Sequence, residues 1–600
     1  PVHSCICTEG LSVTELKKVW FCIAAEPFYF AAIRQRLKPA PVHGLNCVNG
    51  AFNPEIIQIL YCNGGIKMNT AYYNGNIYVE RGRFVTAMYV KDGIIEKIGT
   101  DREILANLPA DATKTDLGGK TVVPGINDSH LHIQSVGQTL SRVMLNGTKS
   151  IGDMISAGRE FLKNHTLDRG EVLLGHGWNQ DYFTDEIRMP TRYDLDEISK
   201  EIPIIFTRAC GHICVANSKA LELAGITEKT EAVAGGVIYK DENGQPNGLI
   251  SENSQYQVSK IVPRRTVEKI SNDFIVGMKY ARSQGITSLQ SNDIKVADWQ
   301  LTVKGIEHLY ATYPDALRLY EQCNLGNLTE YKKFLDRGYK TGTGDDMFKY
   351  GPLKLFVDGS LGARTALMRK PYADDDTTCG VSTISQEDFN AIVKFADDNG
   401  CQVVTHCIGD GAIDLVLNGY ESVIKNGENK NRHRGIHVQI TDREMLQRFK
   451  DSDILAEVQP IFIDYDMNVV EDRVGRELAN QSYAFGDLFR MGVHVSYGTD
   501  SPVEDLNPWH NIYCAVTRKN LAGTKTYRRD QRVDIYDAVD MYTTASAYAS
   551  FEENKKGRLL PGYFADFAVL DRNIFQIAPE EVRDTVCLKT VLAGRTIYEK

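Results

Sequence analysis

The stretch Val122–Ile133, which reads VVPGINDSHLHI, decides the fold. An apolar run ends in a Pro-Gly pair, and two histidines one residue apart, His130 and His132, follow it. Side chains on an extended strand alternate between its two faces, so both imidazoles point to the same side while Leu131 packs behind them. Histidine is the commonest metal ligand, and a pair at a strand end suits zinc or a similar transition ion. Taken alone, the pattern also fits two unrelated histidines in a strand-to-loop turn.

Length and charge narrow the class of protein. The chain has 600 residues and a formal net charge of -10, which allows more than one domain and a large barrel. An acidic chain is not expected to bind nucleic acid, because such surfaces are normally basic. No apolar run reaches about 18 residues, so no transmembrane helix and no membrane partner are expected. We expect a small-molecule substrate, and a homodimer is compatible with the sequence.

The cysteines indicate the compartment. The 13 cysteines form no CxxC pair or short disulfide framework, so we expect free thiols in a reducing compartment, the cytoplasm. Five of them fall before Met68. Residues 1–67 show neither an amphipathic period nor a convincing cleavable signal. We interpret them as an N-terminal extension of unknown role, or a non-native leader, outside the catalytic fold.

Both ends of the catalytic chain are rich in short strands. In the first part, Asp92-Gly93 predicts a two-residue hairpin turn within a small antiparallel sheet. The tail has a similar turn at Ala593-Gly594 between strands. We expect residues 68–122 and 556–600 to pair into one composite β-sandwich domain.

Residues 123–555 alternate β-rich runs with helical stretches such as Glu387–Asp398. This alternation favours a parallel sheet with crossover helices, and polar residues follow the strands, where a (β/α)8 TIM barrel places its active site. We therefore predict an α/β fold built on such a barrel. An insertion near 231–257 reads as a hairpin, which we expect over the barrel mouth. The predicted strands are Val172–Leu174, Pro203–Thr207, Gly285–Gln290, Leu317–Tyr320, Leu353–Val357, Cys401–Thr405, Gly435–Ile436, Ile454–Val458 and His494–Ser496.

Candidate ligands occur at several of these strand ends. Asp500 could instead cap a helix, because Ser-Pro follows it. Lys354 lies in an apolar strand, where an unpaired ammonium is costly and burial depresses the pKa of the amine. A neutral amine can add carbon dioxide and become a carbamate, which is an oxygen ligand for a metal. The candidates in chain order are His130, His132, Lys354, His406, His437 and Asp500.

Six segments in this order resemble the amidohydrolase superfamily. More narrowly, they are similar to its family 3 branch, the N-substituted formamide deformylase-like metal-dependent hydrolases. The resemblance covers the chain from about Thr70 to its end. The segments are VVPGINDSHLH (122–132), LKLFVDGSLGART (353–365), VVTHCIGDGAID (403–414), HRGIHVQ (433–439), VSYGTDSPVEDLNPWHNIYCAVTR (495–518) and KGRLLPGYFADFAVLD (556–571).

The resemblance implies a metal-bearing barrel beside a β-sandwich, and a role for each candidate. Asp500 would be both ligand and general base, and Lys354 would be a ligand in carboxylated form. His437 or His212 would stabilise the oxyanion, and Trp178 and His212 would lie near the substrate. The metal would be a divalent ion, and the nitrogen-rich ligand set favours zinc. The site would hold either one ion or two ions bridged by Lys354. The metal ligands implied are His130, His132, Lys354, His406, His437 and Asp500.

The expected activity is hydrolysis of a non-peptide, amide-type carbon–nitrogen bond by water that the metal activates. Departures from the family pattern at Asn127, Ile133 and Asn179 remove no ligand and leave the substrate open. One alternative is a cyclic amidase or a deaminase on the same barrel. The other is a non-catalytic regulatory protein on this scaffold, since a fold does not determine function.

Overall fold

The computed structural model describes residues 69–167 and 170–600. The predicted N-terminal extension, residues 1–67, lies outside the described residues. Within these two ranges, no helix combines the length and the hydropathy needed to cross a lipid bilayer.

An eight-stranded, all-parallel sheet forms the centre of the fold. Its first and last strands meet where the Asp500 amide donates to the His130 carbonyl oxygen at 2.8 Å. This nearly closed sheet gives the TIM-barrel-like α/β fold that the sequence predicted. Barrel strands 1 to 8 are Ile126–Leu131, Ile286–Ser291, Arg318–Cys323, Phe348–Phe356, Val403–Cys407, Arg434–His437, Leu455–Val458 and Val495–Tyr497.

Helices connect successive barrel strands, and Gln386–Asp398 shows why they form. Ser385 caps it by accepting from the Asp388 amide, and its apolar residues recur on one buried face. The sequence placed its start one residue late. The α-helices are Asp101–Leu105, Ile133–Leu140, Ile151–Asn164, Arg192–Asp196, Ser218–Ala224, Gln255–Ser259, Val267–Ser283, Trp299–Thr312, Leu328–Asp336, Gln386–Asp398, Asp410–Glu421, Arg443–Asp451, Ile463–Asp466, Val470–Ala479, Phe485–Arg490, Pro508–Thr517, Ile535–Met541 and Thr544–Ala549, and the 3₁₀ turns are Gln180–Tyr182, Pro460–Phe462, Arg529–Gln531 and Pro579–Asp584.

The two ends of the catalytic chain supply two further sheets. The predicted turns at Asp92-Gly93 and Ala593-Gly594 both join antiparallel strands, with positive φ at each turn residue, as such hairpins require. The four-stranded sheet runs Ile94–Gly99, Ala87–Lys91, Asn69–Tyr73, Thr113–Asp116, and the six-stranded sheet runs Arg595–Glu599, Cys587–Leu592, Phe567–Leu570, Thr121–Pro124, Asn76–Glu80, Arg83–Val85.

The prediction of one small antiparallel sheet for the first part of the chain is wrong. Asn69–Tyr73 pairs in parallel with Thr113–Asp116, and Asn76–Glu80 pairs in parallel with Thr121–Pro124. The strands are also divided between the two sheets. Short alternating strands carry no local sign of their partner or direction, so the pattern could not reveal this arrangement.

A fourth sheet, of six strands, lies between barrel strands 1 and 2 in the chain. The strands at Leu173–Trp178 and Ile204–Arg208, predicted for the barrel, belong to this sheet instead. The hairpin predicted near 231–257 is present as its edge, Gly236–Lys240 with Pro246–Glu252. In order across the sheet, the strands are Gly236–Lys240, Pro246–Glu252, Ile213–Ala216, Ile204–Arg208, Leu173–Trp178 and Val143–Met144.

Helices Ile133–Leu140 and Val267–Ser283 connect this inserted sheet to the barrel. They cross so closely that a Cβ on Gly137 would lie 1.7 Å from the Asp273 carbonyl oxygen, so only glycine fits there. The first helix begins directly after His132, at the carboxyl end of barrel strand 1. The insertion therefore departs from the barrel face on which enzymes of this fold carry their active sites.

Candidate metal centre

The carboxyl ends of barrel strands 1 and 8 bring three predicted ligands together. Nε2 of His130 and Nε2 of His132 lie 3.3 and 3.2 Å from Oδ1 of Asp500. The ligand atoms of the three residues all lie within 4.8 Å of one another. Two imidazoles and one carboxylate at this spacing form a donor set that suits zinc.

The other three candidates adjoin this group. Nζ of Lys354, from strand 4, lies 3.5 Å from Nε2 of His130. The His437 ring centre is 5.7 Å from that of His130 and 4.5 Å from that of His406. Six side chains from five barrel strands thus form one continuous cluster.

Three histidines each place Nδ1 against an oxygen acceptor. Nδ1 of His130 faces Gln322 Oε1 at 2.8 Å, Nδ1 of His132 faces the Asn292 carbonyl oxygen at 2.9 Å, and Nδ1 of His437 faces Gln459 Oε1 at 2.8 Å. These oxygens only accept, so each Nδ1 carries the proton. In the neutral ring, Nε2 then carries the lone pair that a metal needs. Nε2 of His130 and of His132 faces Oδ1 of Asp500.

His406 uses its other nitrogen. Its Nε2 lies 3.0 Å from the Gly359 carbonyl oxygen and 3.4 Å from Oδ1 of Asp358. Because Nε2 donates here, Nδ1 of His406 keeps the lone pair. In its neutral form, each of the four histidines would therefore offer one nitrogen to a metal.

The backbone is strained at two of these positions. His437 has φ 74° and Asp500 has φ 57°, in the left-handed region that residues with a Cβ rarely adopt. His437 is the last residue of barrel strand 6, and Asp500 follows strand 8 by three residues. Such strain persists where the surrounding structure imposes it, and it is commonest at functional sites.

Burial sets the charges of the cluster. It lowers the pKa of His130 to about 3 and that of Lys354 to about 8, and it holds the pKa of His437 well below its usual value. Burial alone would raise the pKa of Asp500, but hydrogen bonds to His130 and His132 hold it well below the usual range. Neutral imidazoles and an ionised carboxylate are the forms that bind a metal.

The pKa of His132 shifts the other way. Burial alone would lower it, but the hydrogen bond and charge of the Asp500 carboxylate raise it. A metal would compete with that proton for Nε2 of His132, so binding at this position should release a proton.

Two predicted substrate contacts lie in the inserted sheet. His212 is an exposed residue of the loop between two of its strands, and its Nδ1 lies 3.1 Å from Oε2 of Glu252, which raises the pKa of His212. Trp178 is fully buried, and its indole NH donates to the Phe206 carbonyl oxygen at 3.2 Å. The ring packs in the core of that sheet, and its predicted contact with substrate stays a prediction.

The sequence reasoning missed the residues behind the ligands. Gln322 and Gln459 hold two histidines, and Asp128 joins strands 1 and 8 by accepting from the Thr499 hydroxyl at 2.7 Å. A sequence signal existed, because Gln322 interrupts a buried strand and Gln459 follows one. Nothing in the sequence alone pairs either glutamine with its histidine.

Comparisons with known proteins identify the family. A family model described as "Amidohydrolase family" matches residues 114–598. The Bacillus subtilis protein YtcJ, named as an amidohydrolase, is 31% identical over 89% of this chain and 100% of its own length. N-substituted formamide deformylase of Arthrobacter pascens is 26% identical over 87% of this chain and 96% of its own.

A solved structure has a similar fold. The crystal structure of a metal-dependent hydrolase from Pyrococcus horikoshii OT3 superposes with a TM-score of 0.68 at 30% identity. The match covers 85% of this chain and 99% of that chain.

Proposed function

Because this chain belongs to the amidohydrolase family and is a metal-dependent hydrolase acting on carbon–nitrogen bonds, we propose that it cleaves a non-peptide amide bond of an N-substituted formamide. One observation carries the proposal: the ligand atoms of His130, His132 and Asp500 lie within 4.8 Å of one another at the carboxyl face of the barrel. The similarity to the Arthrobacter pascens deformylase supports the choice of substrate class.

We propose two metal positions. His130, His132 and Asp500 would hold one ion, for which we propose zinc. Lys354, His406 and His437 would hold a second ion once Lys354 carries a carbamate, and with an unmodified lysine we expect one ion. A divalent metal bound here lowers the pKa of water toward about 7 and polarises a carbonyl oxygen.

Asp500 is suited to move the proton. Its carboxylate stays ionised because two histidines hold its pKa well below the usual range. It can take the proton from water and return it to the departing nitrogen, which must leave as an amine. One carboxylate thus serves first as base and then as acid.

The oxyanion has a preferred donor. The neutral His437 has a protonated Nδ1 bound to Gln459, so its Nε2 has no proton to donate and we assign His437 to metal binding. His212 is exposed, and Glu252 raises its pKa. His212 stays our proposal for the residue that donates to the substrate carbonyl.

Two further parts of the proposal concern the whole chain. Residues of both terminal sheets, among them Met88 and Phe567, share one buried cluster, which supports a composite β-sandwich of 68–122 and 556–600. The cysteines within the described ranges are free thiols, which supports a reducing compartment such as the cytoplasm.

The test is a substrate panel with the purified full-length chain. N-alkyl and N-aryl formamides, N-acyl amino acids and cyclic ureides are assayed before and after chelation and with zinc restored. We expect the formamides to yield formate and amine. This activity should be lost on chelation and restored with zinc. Turnover of cyclic ureides alone, or turnover that survives complete metal removal, would contradict the proposal.

Asp500→Asn tests the proton transfer, with metal content measured on the same sample. We expect retained metal and a kcat lowered by about 10²- to 10⁴-fold. Asp397→Asn is the matched control, since Asp397 also pairs with a buried histidine, His433, at 3.1 Å but is not one of the cluster residues. Wild-type turnover in metal-loaded Asp500→Asn would exclude the assigned role.

A further inference from the structure

Two histidines of the metal centre are each held by a glutamine from elsewhere in the barrel. Gln322, in barrel strand 3, accepts from Nδ1 of His130, and Gln459, directly after strand 7, accepts from Nδ1 of His437, both at 2.8 Å. Both glutamines are at most 1% exposed. Neither faces solvent, so their polar groups can bond only to other buried groups.

These contacts decide which nitrogen of each ring is protonated. An amide oxygen only accepts, so it requires the proton on Nδ1 and leaves the lone pair on Nε2. With an apolar side chain in its place, the ring could move its proton to Nε2 or rotate, and either change removes the ligand. Partners of this kind affect metal affinity without touching the metal.

We propose that Gln322 and Gln459 are positioning residues that set the metal affinity of two different positions. Gln322 acts through His130 on the position formed with His132 and Asp500. Gln459 acts through His437 on the second position. This inference rests on the proposed function, because it takes the histidines to be metal ligands.

The amide of Gln322 is oriented by further contacts. Its Nε2 donates to the Ser129 carbonyl oxygen at 2.9 Å and to Oε1 of Glu457 at 3.3 Å. Glu457 is itself paired with the fully buried guanidinium of Arg434 at 2.9 Å. These partners need a donor, so the oxygen of Gln322 must face His130.

Gln459 offers a sharper test. Within residues 69–167 and 170–600, its Nε2 is buried without a hydrogen-bond partner. Replacing Gln459 with glutamate therefore removes no hydrogen bond and keeps an oxygen for Nδ1 of His437. Replacing it with leucine removes that oxygen at similar size.

The experiment compares Gln322→Leu, Gln459→Leu and Gln459→Glu with Gln290→Leu. Gln290 is the matched control, a fully buried glutamine of barrel strand 2 that donates to the Ser546 carbonyl oxygen at 2.8 Å. Among the residues that the structure describes, it has no histidine partner. Metal-free proteins are titrated with zinc against a chromophoric chelator. Their thermal midpoints without metal are recorded as a measure of folding.

We expect the two glutamine-to-leucine changes at the centre each to weaken zinc binding by about 10- to 100-fold, at different positions. Gln459→Glu and Gln290→Leu should bind zinc like the wild type. Wild-type affinity in Gln322→Leu and Gln459→Leu would overturn the inference, as would an equal loss in Gln290→Leu. If Gln322→Leu does not fold, the two Gln459 variants decide.

The result also separates this inference from the proposed function. A wild-type protein that binds zinc but hydrolyses no amide would contradict the function, while the zinc affinities would still decide the role of the glutamines. A wild-type protein that binds no zinc would overturn both.

Discussion

The hydroxyl of Thr499 donates to Oδ2 of Asp128 at 2.7 Å across 371 positions of the chain. Both side chains are fully buried, and the bond joins barrel strand 1 to the loop after strand 8. Burial raises the pKa of Asp128 to about 7 although Thr499 and the His130 amide donate to it. The bond therefore links the strand that carries His130 to the loop that carries Asp500.

Thr499→Val should destabilise the protein by about 1–3 kcal/mol, because it leaves a buried carboxyl group without its side-chain donor. Urea titration of the free energy of unfolding measures the loss. Thr499→Ser keeps the hydroxyl and should recover most of it. Equal stability of Thr499→Val and the wild type would show that this bond does not hold the barrel closed.

A second prediction concerns the buried ion pair between the barrel and the terminal sheet. Arg318 binds Asp566 through two contacts of 2.6 and 3.1 Å, and both side chains are about 5% exposed or less. Asp566→Ala would leave a buried guanidinium without its carboxylate, which costs about 3–5 kcal/mol. Asp398→Ala, at the exposed pair with Lys394, should leave the free energy of unfolding unchanged.

Acid sensitivity is predicted at Glu552. Burial alone would raise its pKa, but the ammonium groups of Lys556 and Lys349 lower it from 4.5 to about 2. Because its pKa is lower in the folded state, ionised Glu552 stabilises the fold by about 3 kcal/mol at a pH above its unfolded pKa. This contribution is lost as the pH falls from about 4.5 to about 2.

Glu552→Gln should therefore be less stable than the wild type at neutral pH, and the difference should vanish near the lower end of that range. Unfolding free energies across this pH range measure it. A difference that does not change with pH would contradict the electrostatic explanation.

The barrel and the positions of the candidate ligands followed from simple patterns. His130 and His406 each closely follow an apolar run and Lys354 lies within one near its carboxyl end, and parallel strands place such ends at one face. The structure brings these residues into one cluster. Period and position within a strand were enough for that part of the prediction.

The rest depended on long-range pairing that no local pattern records. The run at Leu173–Trp178 has the same apolar start and polar end as a barrel strand, yet it joins the inserted sheet. Likewise, Gln322 is 192 positions from His130, so its role depends on which strands are neighbours.

Lys354 should form its carbamate most readily under mildly alkaline conditions. Because burial lowers its pKa to about 8, about half of the amines are neutral at pH 8, against under about 1% for an ordinary lysine. At fixed dissolved carbon dioxide, loading of the second metal should slow roughly tenfold from pH 8 to about pH 6.5. Native mass spectrometry, with Lys354→Met as control, measures the modification, and loading independent of both pH and carbon dioxide would contradict it.

The most direct test of the central claim is the metal content of the pure protein by elemental analysis, for the wild type and for His132→Ala. We predict one or two equivalents of a divalent metal in the wild type, and the donor set favours zinc. We predict a clear loss in His132→Ala with the fold intact by circular dichroism. The same metal content in both proteins would contradict the claim that these side chains hold the ion on which hydrolysis depends.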